Sequence, residues 1–71
     1  MIFTKVKDLK ERMQRAGFTG VGLAQAAGIS QAYVCQILSG KRVVLAPTAR
    51  KITNALECEF DDIFIIKEEV G

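Results

Sequence analysis

The sequence predicts an all-α fold, five short helices around one core, and three observations predict it. Apolar residues recur at spacings of three and four from Val6 to Phe64, the signature of helices with one buried stripe. The recurrences stop at Gly17, at Gly28, at Ser39-Gly40 and at Glu57-Cys58-Glu59, each a plausible helix boundary. The chain has 71 residues, enough for one small domain; a domain of this size buries roughly 60% of the surface its unfolded chain exposes.

The first helix follows the apolar start Met1–Phe3. Thr4 is placed to cap it, although no Glu or Gln three residues later completes a capping box. Val6, Leu9, Met13 and Ala16 share one face, Lys5, Lys7, Arg12 and Arg15 the other, and Gly17 suits a C-cap. The basic face reads either as a phosphate rail or as an ordinary solvated surface.

The stretch Gly20–Ser39, GVGLAQAAGISQAYVCQILS, reads as two helices joined at Gly28. Thr19 caps the first and Phe18 packs inward; Leu23, Ala24 and Ala27 form its buried face, and Ala24 permits a close crossing. Gly20 and Gly22 each weaken it by roughly 1 kcal/mol relative to alanine, so packing must hold it. Gly28 takes the left-handed turn, Ile29 is apolar at the turn, and Ser30 caps the second helix. Val34, Ile37 and Leu38 form the second helix's apolar stripe, leaving Gln31, Ala32 and Gln36 off it. Cys35 reads as a small filler, away from both the stripe and the centre of the exposed side.

After Ser39-Gly40 come two cations, Lys41 and Arg42, and the run Val43-Val44-Leu45-Ala46, which suits either an inner wall of the core or an exposed patch. Pro47 belongs in the first turn of a fourth helix, with Ile52, Ala55 and Leu56 inside and Thr53 and Asn54 solvated. Cys58 turns inward between two charges. Phe60, Ile63 and Phe64 continue the core through a fifth helix whose first turn carries Asp61 and Asp62. Ile65 and Ile66 are β-branched and suit a short extended C-terminal segment. Residues 1–67 are assigned to one domain and 68–71 to a frayed end.

Composition narrows the function classes. There is no histidine, and the two cysteines form no CxxC, so neither a metal site, a cofactor site nor an enzyme is expected. The start lacks the continuous apolar region of a signal peptide, and no apolar run approaches the roughly 20 residues of a membrane span. A cytoplasmic protein with reduced thiols is the simple reading. Net charge is only +2, but its distribution is uneven. Residues 1–56 carry nine Lys/Arg against two acids, and residues 57–71 carry six acids against one Lys. A basic body with an acidic end suits a polyanion-binding face; ordinary solvation is the alternative.

The run Thr19–Arg42 resembles the helix-turn-helix of the lambda-repressor/Cro-like (Xre-type) family of phage and bacterial regulators. Leu23-Ala24-Gln25, Gly28, Ser30-Gln31, Val34, Gln36-Ile37 and Ser39-Gly40-Lys41 carry the likeness, which extends to one helix before the motif and two after it. The chain departs at Gly20, where many members carry glutamine. The resemblance implies a compact five-helix DNA-binding domain whose second motif helix enters the major groove. Ser30, Gln31, Ala32 and Gln36 would then meet bases, Gln31 alternatively a phosphate. Thr19, Ser39, Lys41 and Arg42 would meet the DNA backbone. Tyr33 reads either as a further phosphate contact through its hydroxyl or as packing alone. The resemblance also implies a homodimer on a double-stranded operator, with Phe64, Ile65 and Ile66 as interface candidates, joined by Val44 and Leu45; the alternative is that these residues simply complete a small core. A repressor of the Cro kind acting by operator occlusion is expected, with no small-molecule substrate. An interaction module such as an antitoxin or anti-repressor is the alternative, and the apolar VVLA and IFII runs favour it.

Overall fold

A computed structural model describes residues 1–40 and 42–67. Its elements run β1 Ile2–Thr4, α1 Val6–Ala16, α2 Gly20–Ala27, α3 Gln31–Leu38, α4 Ala46–Leu56, α5 Phe60–Ile63 and β2 Phe64–Ile66. The five helices stand where the apolar spacing puts them. The expected extended segment is β2, and it pairs antiparallel with a strand at the other end of the chain, Ile2 opposite Ile66 and Thr4 opposite Phe64.

That pairing corrects the expected start of the protein. Thr4 is not a cap: it lies in β1, its hydroxyl buried without a partner, and Lys5 takes the N-cap position without a side-chain bond. The backbone is committed to the strand, with Lys5 N–H donating to Ile63 O at 2.8 Å and Val44 N–H donating to Ile2 O at 2.9 Å. The VVLA run therefore divides. Val44 is buried beside β1, and Leu45 is 66% exposed.

Leu9 and Met13 of α1, Leu23, Ala24 and Ala27 of α2, Val34 and Ile37 of α3, Ile52 and Leu56 of α4, and Ile63 and Phe64 enclose the core. α2 packs chiefly on α3 and α4, so its two glycines are offset by burial from two sides. Four positions differ from expectation. Ala16 is exposed, because α1 outruns the core in its last turn. Thr53 is buried, because α4 sits against α2 and α5 and the hydroxyl donates to Arg50 O at 3.0 Å, which satisfies it locally. Phe64 is 1% exposed, its ring 5.4 Å from that of Phe60, and so belongs to the core rather than to an interface. Cys35 is exposed rather than a filler. Lys41 and the proposed frayed end, 68–71, lie outside the described residues.

The two glycines of α2 differ in what a side chain would meet. A Cβ on Gly20 would lie 3.9 Å from Val34 Cγ1, ordinary contact, whereas one on Gly22 would lie 3.3 Å from Thr19 Oγ1, the atom that caps the helix. Gly20→Ala is expected to raise stability by up to about 1 kcal/mol, and Gly22→Ala to gain less. Urea midpoints of the two variants check this; equal gains would show that the cap accommodates the methyl.

Candidate nucleic-acid interface

The geometry of α3 follows from its two flanks. Gly28 leaves α2 in the left-handed conformation (φ 71°). Ser30 then caps α3, its Oγ accepting from Tyr33 N–H at 3.1 Å. Thr19 does the same for α2, accepting from Gly22 N–H at 3.0 Å. Val34 and Ile37 are held in the core, so the opposite side of α3 is fixed outward. Gln31 and Cys35, and Ala32 and Gln36, are i,i+4 pairs there, and all four are exposed. Three of these were singled out from the sequence. Cys35 was not, because its spacing puts it off the centre of the exposed side and a small thiol there reads as a filler.

Arg42 does not stand alone after the helix. Its Nη1 donates to Gln36 Oε1 at 2.6 Å, and its guanidinium lies 4.7 Å from the centre of the Tyr33 ring. Tyr33 is thus a platform rather than the phosphate contact that its hydroxyl suggested. The ring is half-buried, and the hydroxyl is turned inward toward Thr48 and the Leu45 backbone, although neither contact has good hydrogen-bond geometry. Burial raises the phenol's pKa, but Thr48, Leu45 and Arg42 together outweigh it and hold the group below its ordinary value. Ser39 Oγ donates to Gln36 O at 2.6 Å, closing the last turn of α3.

The basic face of α1 is largely matched within the protein. Arg12 pairs with Asp62 at 3.2 Å, Arg15 with Glu11 at 2.6 Å, and Lys5 Nζ donates to Asp61 O at 2.9 Å. Such exposed pairs contribute little stability, but their carboxylates offset the positive charge of this face. The solvated-surface reading therefore describes α1 better than a phosphate rail.

A helix-turn-helix family model matches residues 9–63, from α1 through α5. The chain belongs to the helix-turn-helix family. It is a DNA-binding transcriptional regulator of the lambda-repressor-like (Xre) type, as the motif implies. This helix-turn-helix protein is similar in structure to the restriction-modification controller protein C.AhdI from Aeromonas hydrophila. The TM-score is 0.75 at 26% sequence identity, over 80% of this chain and 86% of that one. No curated protein matches it. No helix among the described residues is long and apolar enough to cross a membrane.

Proposed function

We propose that this protein is a sequence-specific operator-binding regulator, a phage or mobile-element repressor of the Cro kind that works in the cytoplasm by occluding its operator. The observation that carries this reading is the outward face of α3, four exposed side chains free of charge on a helix whose other side is locked in the core. A helix so propped fits a major groove, where Ser30, Gln31, Ala32 and Gln36 meet base edges. Thr19, whose hydroxyl proton is still available beyond its capping role, and Ser39, Lys41 and the remaining donors of Arg42 line the DNA backbone. Selection of bound fragments from random DNA tests the reading. A defined site should emerge, with affinity falling as log salt at a slope of roughly −0.9 per phosphate neutralised. Recovery of no site, with a protein partner co-purifying instead, would favour the interaction module.

The likeness to C.AhdI supports a second setting, control of restriction-modification genes. Both settings use the same interface, and they differ in whether the selected site lies upstream of phage-type genes or of a restriction-modification pair.

Cys35 offers a steric probe of this face. Alkylating it with a bulky maleimide is expected to abolish DNA binding while the far-ultraviolet dichroism stays unchanged. Cys58 is half-buried and should react later, because burial pushes its thiol up, with Asp62 and Glu59 adding and Arg12 opposing. Binding that survives full modification of Cys35 would place the interface elsewhere.

A homodimer is part of the proposal, since one helix spans too few base pairs for a unique site and paired half-sites lie roughly 34 Å apart. With Phe64 and Val44 buried, the surface left for it is Ile65, Ile66 and Leu45. Of these, Ile66 lines a mostly apolar groove of about 600 Å³ together with Ile2, Ala46, Pro47, Arg50, Thr53 and Phe60. An exposed apolar groove suits a two-fold contact, in which each copy presents the same patch to the other. Ile65→Asp is expected to convert the dimer to monomer in sedimentation. A wild-type monomer at high concentration that binds its site without cooperativity would overturn this.

A further inference from the structure

We propose that Arg42 sets the base preference of Gln36, biasing a side chain able to hold adenine toward its donor side and so toward guanine. The inference rests on the reading of α3 as the major-groove helix. It starts from the 2.6 Å bond between Arg42 Nη1 and Gln36 Oε1. A guanidinium has five N–H donors and no acceptor, so the amide atom facing it must be oxygen. The orientation of the Gln36 amide is thereby fixed, with its NH2 turned away from Arg42.

Adenine is held by glutamine through two bonds, one donated to N7 and one accepted from the N6 amino group. Here one of the two lone pairs of the accepting oxygen is engaged by a cation, and an amino group arriving at the other is disfavoured by the neighbouring guanidinium donors. Guanine presents N7 and O6, both acceptors. It matches the outward Gln36 N–H together with one of the remaining Arg42 N–H groups.

The arrangement is braced from behind. Tyr33 holds the guanidinium plane at 4.7 Å, and its own hydroxyl is buried near Thr48 at the start of α4. A planar guanidinium stacked on a ring loses less freedom on binding than a mobile one. Arg42 is therefore a positioning residue for Gln36 as well as a cation near the groove.

The test uses the full chain and the site obtained by selection. Gln36→Ala first identifies the base pair that Gln36 reads, as the position where preference disappears. At that position the wild type should favour guanine over adenine by about tenfold or more, the worth of a good bidentate contact. Arg42→Met keeps the stem and removes every donor; it should lose the guanine preference or reverse it toward adenine, with the other positions unchanged. Arg42→Lys keeps a donor-only cation without the planar fork, and it should hold overall affinity and retain part of the guanine preference. Thermal melts of both variants confirm the fold. Weakening of all sequences by Arg42→Met with the guanine preference fully kept would leave Arg42 a phosphate contact alone and overturn the inference while leaving the groove docking intact. A wild-type preference for adenine would do the same. If Gln36→Ala leaves every position as it was, the docking itself fails, and the inference with it.

Discussion

Phe64→Ala is expected to lower stability by about 3–5 kcal/mol, the range for removing a fully buried phenylalanine. The residue is 1% exposed, packs on Phe60, and joins α5 to β2, so neighbours on three sides lose contacts that cannot easily close over the gap. At roughly 0.05–0.15 kcal/mol per residue, a domain of this length has about 4–11 kcal/mol in total. The variant should therefore melt roughly 12–40 °C lower and be partly unfolded at body temperature. Ile66→Ala, at a 66% exposed position two residues on, is the control and should change the melting temperature little. A loss below about 1 kcal/mol at Phe64 would mean that the core repacks around the hole, contrary to its close packing.

Gln31→Ala and Gln36→Ala are each expected to weaken binding to the selected site by about 5- to 150-fold, the equivalent of 1–3 kcal/mol per base contact. Each should also become indifferent at one or two base pairs, which a phosphate contact would not do. Both side chains are exposed, so stability should stay within about 0.5 kcal/mol of wild type. Gln36 should show the larger effect, because its amide is already held by Arg42 and loses less freedom on binding, whereas no comparable side-chain bond restrains Gln31 among the described residues. Folded variants that retain the wild-type preference at every base pair would reject the docking of α3.

The helices and their caps were legible because their signals are local. Thr19 and Ser30 sit next to the apolar runs they cap, and Gly17 and Gly28 have the positive φ that their positions demand. β1 was not legible: three residues show no periodicity, and the partner strand is some 60 residues away. The burial of Thr53 depends on which neighbours α4 meets, and a hydroxyl that bonds its own helix leaves no trace in the pattern. In the site, the exposed glutamines followed from helix spacing. The Arg42–Gln36 bond did not, because it depends on how the chain turns back after α3. The turn at Gly40 (φ 75°) brings Arg42 over Tyr33, and glycine alone does not specify that path.

The pairing of β1 with β2 has a consequence for the order of folding. The helical hairpin of α2 and α3 closes over a few residues, but the two strands can meet only after nearly the whole chain has been drawn into a loop, whose closing entropy grows with its length. The helices should therefore organise first and the strands zip together late, after the rate-limiting barrier. Substitutions in Ile2, which packs against the core, should then leave the refolding rate almost unchanged and speed unfolding, whereas substitutions in Leu23 or Ile37 should slow refolding. The seam between the two ends acts as a latch on the finished fold, governing how long the native state lasts more than how quickly it forms.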